Sequence, residues 1–310
     1  MAIYDYETIA KDLIYHLPNR AFNLWRYREL LPVQNPNQEL FFGEGGTPLL
    51  RANNLALMLG CPNIFVKDER QGPTASFKDR QAALTITALK EAGITEAVIA
   101  STGNVAISYS AYAARAGIKL WAFLTSMVPS EKMREVAIYG TEVIKVTGSY
   151  DQTKKIAAEF AHQRGFYLDR GPRSAPSVEA MKTLAFEIAE QITPILNQQL
   201  NYSGKSTSHW RAPDWYIQAV SGGLGPIGVQ KGFNELLQMG LIDKMPAFAI
   251  VQTEGCDPMV RAWEQNRKVA TPIQIPSTRI ATLATGDPGR SYTLLLENIR
   301  HSGGGFYHFE

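Results

Sequence analysis

Cysteine is scarce: Cys61 and Cys256 are the only two in 310 residues. They stand far apart and match no metal or redox spacing, so the sequence predicts a reduced, cytoplasmic protein. Long apolar runs are missing, and nothing approaches the roughly 18 residues that a membrane helix needs. No charge of one sign dominates: 31 Lys and Arg stand against 29 Asp and Glu, a net charge of +2. That balance gives no reason to expect nucleic acid or a membrane surface as partner. The five histidines are scattered, with none paired at metal-ligand spacing. The opening MAIYDYETIAKDLIYHLPNR carries acidic residues and no apolar run, so it does not read as a secretory signal. What remains, 45% hydrophobic and 19% charged residues, is ordinary for a globular enzyme with a substantial core.

From residue 63 onward strand and helix patterns alternate. The strand candidates are IFVKDE, AVIAS, KLWAFLT, TEVIKV, FYLDR, DWYIQAV, AFAIVQT and GFYHFE. Helix patterns such as VAISYSAYAARAG, SEKMREVAIYG, DQTKKIAAEFAHQRG, SVEAMKTLAFEIAEQI, VQKGFNELLQMG and PMVRAWEQN lie between them. Such alternation predicts an α/β fold with parallel sheets covered on both faces. NQQLNYSGKSTSHWRAP (residues 197–213) is polar without period and reads as a long exposed loop. TPIQIPSTRIATLATGDPGR reads as a functional loop near the site. The closing GFYHFE reads as an uncovered edge strand, or as the sign that a C-terminal piece is lacking.

Three loops follow strands and open helices, where open α/β sheets bind ligands. The first is PTASFKDR (residues 73–80). Ser76 reads as an N-cap and Asp79 as its capping-box partner, which puts Lys78 at the second helical position. The helix dipole disfavours a cation there, and burial adds to the effect, so the neutral amine is favoured. A neutral amine is what a nucleophilic or Schiff-base lysine requires. A solvated lysine tolerating a poor position is the plain alternative. Thr74 and Ser76 stand ready to bond an anion.

The second loop is STGN, in which Ser101, Thr102, Gly103 and Asn104 make a compact carboxylate site at a helix start. An ordinary N-cap turn is the alternative. The third is SGGLGPIG (residues 221–228), where Gly222, Gly223, Leu224 and Gly225 let backbone approach a phosphate. It also matches a G-x-G-x-x-G dinucleotide pattern, with Glu254 as the ribose acid. Against that, several βαβ units precede it, and Pro226 removes an N–H from the loop. A Schiff-base lysine, a carboxylate turn and a phosphate cradle together describe pyridoxal phosphate joined to an amino acid. Glu44, Trp25 and Tyr27 read as turn and packing residues, and Arg80 as a local ion-pair partner open to an anionic substrate.

WRYRELLPV, GEGGTPLL, VKDE, PTASFKDR, STGN, EAMKTLAFEIAEQ and AVSGGLGPIGVQKGFNEL occur in an order and spacing that resembles the threonine synthase group of the fold type II (tryptophan synthase β-type) pyridoxal-phosphate enzymes. The match runs from residue 25 to about residue 255. The resemblance implies a larger cofactor-binding α/β domain from residues 1–93 and 148–310, and a smaller mobile one from residues 94–147. It implies Lys78 as the Schiff-base lysine and Asn104 at the cofactor 3-hydroxyl. It further implies Ser76 and residues 101–104 for the substrate, and Gly222 to Gly225 for the cofactor phosphate. The expected reaction is that of a carbon–oxygen lyase converting O-phospho-L-homoserine and water to L-threonine and phosphate. The expected partner is a small amino acid, with no metal and with a homodimer left open. At the positions where such synthases carry a phosphate-binding asparagine and arginine, this sequence has Ser174 and Ser177. Threonine or serine dehydration and β-replacement are the alternatives within the fold. A non-catalytic cofactor- or amino-acid-binding subunit and an NAD(P)-dependent reductase are the alternatives outside that chemistry.

Overall fold

The computed structural model describes residues 2–36, 38–199 and 210–309. In chain order it runs α1 (Tyr6–His16), β1 (Leu49–Arg51), α2 (Asn53–Leu59), β2 (Phe65–Lys67) and α3 (Lys78–Glu91). Next come β3 (Glu96–Ser101), α4 (Asn104–Ala116), β4 (Lys119–Thr125), α5 (Ser130–Ile138), β5 (Glu142–Val146), α6 (Tyr150–Arg164) and β6 (Tyr167–Leu168). The chain continues through α7 (Ala175–Met181), α8 (Thr183–Gln199), β7 (Trp215–Ala219), α9 (Leu224–Gln238) and β8 (Ala247–Thr253). It finishes with α10 (Pro258–Glu264), α11 (Ser291–Ser302) and β9 (Gly305–Phe309).

Two parallel sheets carry the fold, as the alternation predicts. One has the order β5-β4-β3-β6 and the other β7-β8-β9. Apolar residues of β3 and β4 pack against α3 and α4 through Ile99, Leu120, Leu124, Leu84, Ile86 and Tyr112. A second core joins β7–β9 to α7, α8, α9 and α11 through Met181, Phe186, Phe233, Phe248, Ile250 and Leu295. α9 lies so close to α7 that a Cβ at Gly228 would sit 2.3 Å from the Met181 Cβ and 2.7 Å from the Val178 carbonyl oxygen. That glycine serves helix packing, not a ligand.

The eight expected strands are all present, but β2 does not join a parallel sheet. It pairs antiparallel with the unforeseen β1, Leu50 opposite Val66. The expected single helix through EAMKTLAFEI is interrupted at Lys182. There the Thr183 hydroxyl donates to the Ala180 carbonyl at 2.6 Å, competing with the helix's own ladder. Lys182 itself turns into a buried ion cluster, 2.6 Å from Glu179 and 3.0 Å from Glu235. Of the expected 197–213 loop, residues 200–209 lie outside the described residues; residues 197–199 end α8, and Trp210 is buried. β9 pairs with β8 and lies at the edge of its sheet.

The start of α3 is anchored by Arg80, 1% exposed. Its Nη1 donates to Glu187 Oε1 at 2.5 Å and to Thr183 Oγ1 at 3.0 Å. Its Nη2 reaches Glu187 Oε2 and Glu69 Oε1, both at 2.8 Å, and Nε reaches Glu69 Oε2 at 2.8 Å. Lys67 adds a second cation, with Nζ 2.6 Å from Glu187 Oε2. Arg80 is therefore spent inside the fold and is not open to a substrate. Burial alone would raise the Glu187 carboxyl, but Arg80 and Lys67 hold it down at about 2. The folded-state value lies below the ordinary 4.5, so this stabilisation is present above pH 4.5 and is lost as pH falls toward 2. Arg80→Met leaves Glu187 as a buried, under-compensated charge, and urea unfolding at pH 7 is expected to show a loss of about 3–5 kcal/mol. A loss below about 1 kcal/mol contradicts this account of the anchor.

Candidate active site

Lys78 is the first residue of α3, not the second. Ser76 is not the N-cap, a position that Phe77 takes; the Ser76 Oγ accepts the Lys78 N–H at 3.2 Å from one residue further back. Asp79 does not complete a capping box. Its carboxylate turns to the preceding loop and accepts the Thr74 N–H at 2.9 Å together with the Thr74 hydroxyl. Thr74 also bonds Ser108 on α4 at 2.8 Å, so its hydroxyl is committed to holding the loop rather than an anion. The left-handed backbone of Ala75, φ 54°, makes the bend these bonds close.

The Lys78 amine lies 4.1 Å from the centre of the Phe77 ring. Burial pushes its pKa down to about 8, while the Asp169 carboxylate opposes the fall. An amine in that range is largely neutral only slightly above physiological pH, so it can exchange protons under mild conditions.

In the STGN turn, Ser101 is 1% exposed and its Oγ accepts the N–H groups of Gly103 at 2.9 Å and Ala106 at 3.1 Å. The hydroxyl caps α4, as the plain alternative had it, and holds the turn in shape. Asn104 opens the helix, and its Oδ1 accepts from Lys132 Nζ of α5 at 2.8 Å. Lys132 was missed in the sequence, because SEKMREVAIYG reads as a solvated helix with nothing to single it out.

The glycine turn follows β7. Gly223 caps α9 in the left-handed conformation, φ 86°, and its helix begins at Leu224, so Gly225 and Pro226 belong to the first helical turn. No side chain caps this end among the described residues. A helix start without a side-chain cap presents N–H donors and a positive field. Ser221 Oγ bonds Thr285 Oγ1 next to it. The loop of residues 271–290, expected near the site, therefore touches the glycine turn through Thr285.

A group of polar side chains went unforeseen. Asp169, just beyond β6, accepts Gln81 Nε2 at 2.8 Å, Ser177 Oγ at 3.1 Å, Gly171 N–H at 2.9 Å and the Tyr109 hydroxyl. Ser177 is fully buried. The one sequence signal is that Gln81 and Thr85 share a helical face with Lys78. Two shallow, open depressions of the surface are lined by other residues: Thr147, Gln152, Lys155 and Ile156, and Asn35, Leu40, Thr87, Lys90 and Glu91. Among the described residues no group of His, Cys, Asp and Glu is placed to hold a metal ion, and no helix is long and apolar enough to cross a membrane.

Comparison with known proteins decides which chemistry this arrangement serves. The sequence pattern of the family described as "Pyridoxal-phosphate dependent enzyme" matches residues 40–310. This chain belongs to that family. As a pyridoxal-phosphate enzyme it uses pyridoxal 5'-phosphate, and the nicotinamide reading of the glycine turn falls away. The chain is 34% identical over 305 residues to a threonine synthase of Methanocaldococcus jannaschii, covering 97% of this chain and 71% of that one. It is 30% identical over 303 residues to a threonine synthase of Methanosarcina acetivorans, covering 97% and 70%. Among solved structures, the processed form of threonine deaminase isoform 2 from Solanum lycopersicum superposes with a TM-score of 0.62 at 18% identity, covering 93% of this chain and 71% of that one. That likeness is one of fold.

The cap in the STGN turn is open to test. Ser101→Ala leaves two buried N–H groups without their acceptor and is expected to cost about 1–2 kcal/mol in urea unfolding. An unchanged unfolding free energy contradicts the cap.

Proposed function

We propose that this chain is a threonine-synthase-type lyase, in which Lys78 is the cofactor-bearing and proton-moving residue. The observation that carries this reading is the half-buried Lys78 amine at a helix start, its pKa brought to about 8 by desolvation. The donor set suits pyridoxal phosphate. Lys78 offers an amine easily made neutral, and Gly222, Gly223, Leu224 and Gly225 offer a helix start with no side-chain cap for the phosphate. Asn104 sits beside the ring position in this reading, and Thr102 and Gly103 take the substrate carboxylate. Ser76 and Ser101 act behind them, holding the two turns in shape.

When bound, the cofactor supplies an electron sink for the pair left as a proton departs from the substrate's α-carbon. Lys78 takes that proton and returns it, neutral before the transfer and cationic after it. On O-phospho-L-homoserine the overall change is loss of phosphate and addition of water, giving L-threonine. Support for that substrate comes from the two threonine synthases covered at 34% and 30% identity. A second reading, dehydration of a hydroxy amino acid, is favoured by one observation. Ser177 is uncharged and is bonded to the Asp169 carboxylate, surroundings that suit a neutral side chain better than a phosphate.

We place the larger unit at residues 1–93 and 148–310 and the smaller mobile one at residues 94–147. The contact of Lys132 with Asn104 lies inside the smaller unit, while β6 joins that unit's sheet from outside these bounds, at residues 167–168. The purified protein with pyridoxal phosphate is expected to be yellow, with the visible band lost in Lys78→Ala. Wild type then releases phosphate from O-phospho-L-homoserine, or ammonia from L-threonine or L-serine under the second reading. A visible band unaffected by Lys78→Ala overturns the proposal.

A further inference from the structure

A side chain from α5 lies across the STGN turn. The Lys132 stem comes so close to Gly103 that a Cβ there would sit 3.1 Å from Lys132 Cδ and 3.5 Å from its Nζ. Gly103 also has a φ of 138°, which residues with side chains rarely adopt. Glycine at this position therefore lets the lysine pass directly over the turn. At the end of the stem, Lys132 Nζ donates to Asn104 Oδ1 at 2.8 Å. Both side chains belong to half-buried residues. Glu131 and Glu135 are near in sequence, yet no carboxylate pairs with Lys132 among the described residues. The ammonium is given to a neutral amide, so the contact fixes direction and neutralises no charge.

The chemistry of the two groups decides which way the amide points. An ammonium has three donors and no acceptor, whereas a carboxamide has an oxygen end that accepts and an NH2 end that donates. Lys132 therefore selects the oxygen of Asn104 and turns the NH2 away from itself. Among the described residues that NH2 donates to no group, which leaves it for a ligand.

We propose that Lys132 is the positioning residue for Asn104: it holds the carboxamide with its NH2 toward the cofactor, so that the atom received there is a hydrogen-bond acceptor. The inference rests on the placement of Asn104 beside the ring in the proposed site. Without Lys132 the amide is free to turn over, and its oxygen then faces an acceptor with no proton between them. A donor already aimed costs no reorientation when the ligand arrives. Lys132 and Asn104 both fall in the proposed smaller unit, so their bond moves with the turn and does not have to form anew on binding.

The test reads binding and does not depend on turnover. Pyridoxal phosphate is titrated into the ligand-free protein, and its dissociation constant is taken from the growth of the visible band. Lys132→Met keeps an unbranched stem and removes the donor; it is expected to raise the constant about five-fold or more. Asn104→Ala is expected to raise it at least as much. In the Asn104→Ala background the same Lys132→Met change is expected to shift the constant by less than about two-fold, because a residue that acts through Asn104 has nothing left to act on. An equal effect of Lys132→Met in both backgrounds overturns the proposal, since the lysine then acts without Asn104. A wild-type constant in folded Lys132→Met overturns it as well. If Lys132→Met does not fold, Lys132→Gln takes its place in the cycle, and failure of both to fold makes the lysine structural and overturns the proposal. An Asn104→Ala protein that binds like wild type overturns instead the placement of Asn104 on which the inference rests.

Discussion

The ion pair between Arg80 and Glu187 is the constraint on which the site depends. Only Asp79 stands between Lys78 and Arg80, so the clamp that fixes Arg80 to α8 also fixes where α3 begins. Glu69 holds the same guanidinium from the loop before the helix, and Lys67 of β2 shares Glu187. The strand, the loop and the helix start thus meet in one buried ion cluster, Lys67 and Arg80 on Glu187 and Glu69 on Arg80. Such a cluster contributes little net stability compared with an apolar core, yet it is strongly directional. Direction is what an active lysine needs, because its amine must sit at one end of a helix whose field and burial lower its affinity for a proton.

The hydroxyl groups nearest the site mostly serve the chain itself. Ser101 caps α4, Thr74 closes the loop onto Asp79 and Ser108, and Ser221 pairs with Thr285. In the proposed site, what is left to present to a ligand is the backbone of the STGN turn and of the start of α9, beside the side chains of Thr102 and Asn104. This division has a physical reason. A side-chain hydroxyl bound into a turn fixes the direction of the N–H groups around it, and preorganised N–H groups bind anions without further reordering. The residue that shapes a turn and the residue that binds through it are therefore different, even when they are adjacent.

Much of the fold was legible because its strands are short, apolar and rich in β-branched residues, as in AVIAS and AFAIVQT, bounded by helices that end on glycine. The start of α3 was legible to within one residue from Ser76 and the apolar period after it. Other features were not. β1 has three residues, too few to show a period, so the antiparallel partner of β2 could not be seen. The interruption at Lys182 comes from a lysine turned into a cluster completed by Glu235, 53 residues away. Asp79 looked like a capping-box acid because spacing alone does not tell which N–H a carboxylate will take. Asp169, Tyr109, Gln81 and Ser177 are separated by up to 96 residues, and no local pattern relates them. Ser101 was ambiguous for a different reason, since a serine in a helix's opening turn suits a cap and an anion site equally well.

The central claim is that one amine, at the start of α3, takes the aldehyde of pyridoxal phosphate. Borohydride reduction of the protein equilibrated with pyridoxal phosphate, followed by mass mapping of the peptides, tests it most directly. A single phosphopyridoxyl group on Lys78 is the predicted result. A group on Lys132, or one spread over surface lysines with Lys78 unmodified, contradicts the account.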